Sequence, residues 1–265
     1  MKKRHVVAYV WLILTACFLI LPLVATGIYS FTKSWTGILP SSWTLDYYEQ
    51  VFSDAKFWPA MARGLIISIA PIILSGIVVI LALYTAILYD PRLEKYIQSL
   101  CMLPYTLKGV ILAISVLSLY AGSHTIFSNR IVMLTCVYSI IILPYVYQGI
   151  RNNMDAINIP QLIEAAEILG AGKLYAFVRI IVPNMLSGIM VSSLLAMSVV
   201  FSDYVVVKII AGSKYITGQQ LLYAARNQAG QYSSVIVLIM FGTTLLVSAL
   251  AYGIQNRTKK NGVKK

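Results

Sequence analysis

From Gly64 to Tyr89 the chain reads GLIISIAPIILSGIVVILALYTAILY, with no charged side chain. About 20 such residues, rising about 1.5 Å each, carry an α-helix across the hydrocarbon of a bilayer. Comparable runs begin near residues 7, 96, 131, 185 and 233. Lipid offers nothing to hydrogen-bond an exposed backbone, so runs of this kind span as helices. The expected fold is all-α and integral to a membrane. Six spans are placed at about 7–29, 64–89, 96–120, 131–150, 185–207 and 233–254, in one transmembrane domain covering 1–265.

The composition agrees. Only 11% of residues are charged, 59% are hydrophobic, and the mean hydropathy is +0.79. Soluble domains carry roughly 25% charge. The net charge of +12 would suggest nucleic acid in a soluble protein, but here the excess lies at the termini and in short loops. There it sets membrane orientation instead. The first run follows Lys2, Lys3 and Arg4, has Tyr9 and Trp11 near its start, and is longer than the apolar stretch of a cleaved signal, about 7–15 residues. It reads as an uncleaved span. Cys17, Cys101 and Cys136 all fall inside apolar runs, and His5 and His124 lie far apart, so neither a disulfide framework nor a metal site is expected.

An even number of spans puts both termini on one side. That side also holds Arg92, Lys95, Arg151, Lys173, Arg179 and the tail from Arg257 to Lys265. It carries nearly twice the basic residues of the other side, so both termini are expected in the cytoplasm. The tail QNRTKKNGVKK is expected to fray. Residues 30–62 form a polar, aromatic-rich outer segment. In it Thr44 is placed as the N-cap of a short amphipathic helix carrying Tyr47, Tyr48, Val51 and Phe52. Trp35, Trp43 and Trp58 suit the headgroup level.

One segment is too polar for the membrane. Residues 151–183 contain EAAEILGAGKLYAFVRIIVP, from Glu164 to Pro183. Leu162, Ile163, Ala166 and Leu169 repeat at helical spacing, and Pro160 fits a first turn. Glu164 and Glu167 lie near the helix start, where the dipole favours anions. Gly170 serves as a break or C-terminal cap. A second helix runs through Leu174, Phe177, Val178 and Ile181 until Pro183. The small residues Ala165, Ala166, Gly170 and Ala171 let another surface approach closely. No nucleophile lies beside a base, so the hairpin is built for docking, with no catalytic residue.

Glu164-Ala165-Ala166, then Gly170, then Ile180-Ile181-Val182-Pro183 resembles the EAA loop of ABC importer permeases; Val182 stands where that family has Leu. The likeness extends to the six-span layout with the loop between spans four and five. It implies the type I ABC importer permease fold, with the hairpin as a coupling helix that docks on an ATPase subunit through Glu164, Ala165, Ala166, Gly170 and Ala171, closed by Pro183. It further implies an ATPase dimer, a second permease subunit and an extracytoplasmic binding protein as partners, in a bacterial inner membrane. No P-loop G-x-x-x-x-G-K-[ST] occurs in the sequence, so ATP and magnesium are expected on the partner ATPase, and this chain is not expected to be an enzyme.

A second stretch, FSDYVVVKIIAGSKYIT, places Asp203 and Tyr204 at the end of span five. A carboxylate there either faces a cavity, pairs with Lys108 or Lys208, or caps a helix end. Lys108, inside span three, could snorkel, line a cavity or mark a break in the helix. The stretch resembles the spermidine/putrescine type of permease, and the outer segment is also similar to phosphonate and iron(III) permeases. The resemblance implies a polyamine cargo, with Asp203, Tyr204 and Lys108 on the substrate path. Charge pairing and cation–π contact would act together on such a solute. An ion-coupled carrier using Asp203 and Lys108 is the distant alternative, since two similar halves are not evident.

Overall fold

The computed structural model describes residues 2–35, 37, 42–122, 124–155 and 157–262. Lys264 and Lys265 of the basic tail lie outside the described residues. The helices are α1 (Lys2–Ser30), α2 (Asp46–Ser53), α3 (Phe57–Leu88), α4 (Leu93–Met102), α5 (Gly109–Tyr120) and α6 (Arg130–Asp155). They continue with α7 (Ile159–Ile168), α8 (Lys173–Ala176), α9 (Val182–Phe201), α10 (Val205–Ala211), α11 (Gly218–Ala224) and α12 (Gly230–Gly262). Among the described residues, four stretches are long and apolar enough to cross a membrane unbroken: Tyr9–Ser30, Phe57–Leu88, Arg130–Met154 and Gly230–Gly253. Two bent pairs bring the total to six if each crosses as one span.

The bent pairs correct the expected boundaries. Span three is α4 with the 3-10 turn Leu103–Tyr105, followed by α5 at 93° to it. Pro104 offers no N–H, and Lys108 is extended at φ −64°, ψ 131°. Its carbonyl then accepts the N–H of Ile111 at 2.9 Å, which starts α5 anew. Span five ends at Phe201, not at 207, and α10 begins a new helix at Val205. Pro183 does not end the second helix of the hairpin. It lies in the first turn of α9, after a π turn at Phe177–Ile181. A proline mid-helix has no N–H for the carbonyl four residues back and crowds it, and a widened turn relieves both. The axis then bends by 57° between Lys173–Leu186 and Gly188–Phe201. The tail, expected to fray, stays helical to Gly262.

The chain forms two compact units. The larger comprises residues 61–220 and 246–265. Its core runs along α6, whose Leu134, Val137, Tyr138, Ile142 and Ile150 are wholly buried together with Leu83, Ile181 and Ile210. Ser75 on α3 donates to the Ser139 carbonyl at 2.8 Å, a buried bond that ties α3 to α6. The helices α6 and α9 touch backbone to backbone. A Cβ on Gly149 would lie 2.2 Å from the Ser192 Cβ, and one on Gly188 would lie 2.6 Å from the Gly149 carbonyl. Small residues at such crossings are how helices associate in lipid, where burial of apolar surface supplies no drive.

The smaller unit comprises residues 1–60 and 221–245. The N-cap of α2 is Leu45, which makes no side-chain cap bond, and not Thr44 as expected; the Thr44 hydroxyl, one residue earlier, accepts the Asp46 N–H at 3.1 Å in the turn that leads into the helix. Phe31 stacks on Tyr48 at 5.0 Å, and the Tyr48 hydroxyl meets the Ser30 hydroxyl at 2.9 Å, joining α2 to the end of α1. A bridge pairs Thr32 with Trp43 across the intervening loop. From Tyr9 to Leu14 and again at Phe18 and Leu19, α1 leaves its apolar side chains exposed. In water such a face would aggregate. Against lipid tails it needs no cover.

Candidate coupling site

The hairpin is held from inside the larger unit. Ile159 and Ala166 of α7 are buried, and Phe177 and Ile181 of the π turn join the same core. Phe177 meets Tyr84 of α3 edge-on at 5.0 Å. A shallow cleft of about 210 Å³ opens between Ile87 and Leu88 on one side and Ile163, Glu164, Glu167 and Lys173 on the other. The hairpin thus rests on the end of α3 while its far edge stands free.

The turn itself is rigid. Gly170 takes φ +80°, and its N–H donates to the Glu167 carbonyl at 2.9 Å. The Ala171 N–H donates to the Ala166 carbonyl, also at 2.9 Å. This pair of reversed bonds is the Schellman closure, which satisfies carbonyls a helix end otherwise orphans. It needs the left-handed conformation that glycine adopts without steric penalty. Lys173 Nζ reaches Glu167 Oε1 at 3.9 Å across the turn; both are well exposed, so the pair contributes little.

Glu164, Ala165 and Gly170 are exposed, Ala171 is half-buried, and Ala166 is buried. Pro183 lies away from the turn, at the start of α9. Leu169 does not join the packed stripe that its spacing predicts. It and Ile168 are each 86% exposed. Leu169 leaves helical geometry at φ −81°, ψ 6°, and the reversal at Gly170 turns it outward. The sequence reading missed Ile168 altogether. The signal was available: two large apolar residues stand directly before a glycine at a turn, at a tip that none of the described residues covers. Two bare aliphatic side chains flanked by Glu164 and Glu167 are the makings of a docking knob.

The other singled-out residues gather at the two helix breaks. Asp203 lies between α9 and α10, half-buried, and its Oδ1 accepts the Val206 N–H at 2.9 Å. Of its three expected roles, capping is the one the structure displays. Among the described residues no lysine or arginine lies within ion-pair distance of it. Tyr204, also half-buried, begins the turn into α10. Lys108 is exposed at the break before α5. The next residue, Gly109, fits against Ile141 and Val206, where a Cβ would stand 3.1 Å and 3.4 Å from their side chains. So the Lys108 break and the helix capped by Asp203 are neighbours, and the wholly buried Tyr138 brings its ring to the same place, within the field of the Asp203 carboxylate.

The chain is similar to the spermidine/putrescine permease PotC homolog of Mycoplasma genitalium, 23% identical over 75% of this chain and 72% of that protein. It is 30% identical to the spermidine/putrescine permease PotB of Escherichia coli K12, over about half of each chain, 49% and 48%. It is 22% identical to the putative 2-aminoethylphosphonate permease PhnV of Salmonella typhimurium LT2, over 74% of both. Its fold matches a solved bacterial ABC transporter involved in import of the acidic polysaccharide alginate, with a TM-score of 0.70 over 96% of each chain at 15% identity. Residues 78–260, which hold both helix breaks and the hairpin, match the binding-protein-dependent transport system inner membrane component family, and the chain belongs to that family of ABC importer permease subunits.

Proposed function

We propose that this permease takes up polyamines, and that the hairpin is where a separate ATPase dimer drives it. The observation that carries the coupling role is the bare Ile168–Leu169 tip on a rigid glycine turn, flanked by Glu164 and Glu167. Glu164, Ala165 and Gly170 offer the rest of the contact, and Ala166 and Ala171 keep the turn thin. Both termini and the hairpin lie in the cytoplasm of a bacterial cell, following the excess of basic residues on that side. ATP and magnesium are bound by the ATPase. A second permease chain completes the path, and an extracytoplasmic binding protein delivers the solute. Closure of the ATPases moves the hairpins together, and the bent helices pass that motion to the two breaks.

Support for a polyamine comes from the relatives' cargo and from Asp203, a half-buried carboxylate with no cationic partner among the described residues. Asp203, Tyr204 and Lys108 then border the path where α5 and α10 begin. The similarity to PhnV favours an aminoalkylphosphonate as second reading, with Lys108 facing the phosphonate.

Asp203→Asn separates charge from structure, because asparagine caps a helix as well as aspartate does. In proteoliposomes holding the full complex, spermidine uptake is expected to fall about tenfold, one partly screened charge contact, while ATP hydrolysis and assembly are kept. Unchanged spermidine uptake would leave Asp203 a helix cap only. Uptake of aminoethylphosphonate in place of spermidine would establish the second reading.

A further inference from the structure

We infer that the hairpin end of α6 lines a hydrated, charge-neutral section of the solute path through Gln148 and Asn152. This deepens the transport reading above and rests on it. Tyr145, Gln148 and Asn152 repeat at i, i+3 and i+7, which sets them on one helix face. The opposite face, Ile142, Val146, Tyr147 and Ile150, is buried. Gln148 and Asn152 are exposed. A cleft of about 350 Å³ opens from them toward Gln98 of α4, and another of about 340 Å³ toward Ser192 of α9. Both clefts share Gln148 and Asn152, so the polar stripe is the ridge between two grooves.

Depth decides what the ridge faces. With α6 centred in the bilayer, Gln148 lies about 8 Å from the midplane, inside a half-thickness of about 15 Å. Among the described residues, the Gln148 amide donates only to the sulfur of Met102, at 3.6 Å. An amide so poorly partnered is not stable against lipid tails, so water or solute must reach it. The charges alongside cancel, since Glu94 of α4 is ion-paired with Arg151 of α6. The section therefore offers amide donors and acceptors and no net charge. That suits an amine on its way out. Carbonyl oxygens accept its ammonium hydrogens, yet no fixed carboxylate holds it back, and passage requires binding weak enough for release.

The test uses Gln148→Cys and Asn152→Cys in the assembled complex in inside-out vesicles, with Ile140→Cys, an exposed apolar position on the same helix, as reference. A membrane-impermeant cationic thiosulfonate should modify the two stripe positions at least about tenfold faster than position 140, because only a hydrated thiol ionises. Modification should cut uptake while ATP hydrolysis persists. A second comparison needs no label. Q148L should lose about tenfold in uptake, whereas Q148N, which keeps the amide, should not. Reactivity equal to position 140 would mean the stripe is sealed against lipid or the second permease, and would overturn the inference. So would equal uptake by Q148L and Q148N. If the unmodified complex imports none of the amines, the cargo reading fails, while the labelling contrast still decides whether the stripe is wet.

Discussion

Gly149→Leu is expected to leave a chain that does not assemble. A Cβ at this position would lie 2.2 Å from the Ser192 Cβ and 3.2 Å from its Cα. Ser192 is wholly buried and is itself bonded to the Ile189 carbonyl at 3.0 Å, so it has nowhere to move. Relief requires separating α6 from α9, and Gly188 closes the same crossing from the other side. Overpacking of a side chain costs about 1–3 kcal/mol, and a clash that involves backbone falls at or beyond the top of that range. Gly76→Leu is the control. It is also a helical glycine, but nothing stands within 4 Å of its added Cβ. There the gain in helix propensity, up to about 1 kcal/mol, should slightly stabilise the chain. Thermal stability of the detergent-purified complex reads both. A G149L chain that assembles and melts like the parent would show that the crossing is not as tight as its geometry states.

Ile168→Asp together with Leu169→Asp should abolish import without touching the fold. Both side chains are 86% exposed, so the free chain loses no packing. In the complex they are expected to be the central apolar anchors. Removing one such anchor costs about 2 kcal/mol or more, and two carboxylates in their place would add repulsion from Glu164 and Glu167. Together that amounts to about a thousandfold loss of ATPase affinity. Copurification of the ATPase with the tagged variant measures it. Stoichiometric ATPase on the double variant would mean that docking uses the glutamate edge alone. Gly170→Val should act more mildly. It forces a β-branched residue into left-handed backbone at about 1–2 kcal/mol, tilting the tip while leaving its two apolar side chains in place.

Much of this was legible beforehand. The hairpin, its glycine turn and its first-turn proline follow from local chemistry, because caps and reversals are decided by three or four adjacent residues. Pro183 and Leu169 were misjudged, each for its own reason. A proline was taken to stop a helix, but the π turn at Phe177–Ile181 absorbed it. Leu169 fell on an apolar period, but periodicity names a face and not what covers it. The break at Lys108 was one of three open readings, and Pro104 alone could not choose among them. The 93° turn depends on what α5 can lean on, which is Ile141 and Val206, far along the chain.

By itself, then, the sequence determined the solvent and the polar elbow. Long uncharged runs can be satisfied only as helices in lipid, and a polar glycine-closed elbow between two of them can lie only outside it. Both conclusions need no more than transfer energies and local backbone geometry. The tertiary structure decided which glycines are contacts, which apolar side chains at the tip stay bare, and which amides of α6 border open clefts. Those depend on residues such as Gly149 and Ser192 meeting across long separations in the chain, and no pattern within a single helix records its neighbour.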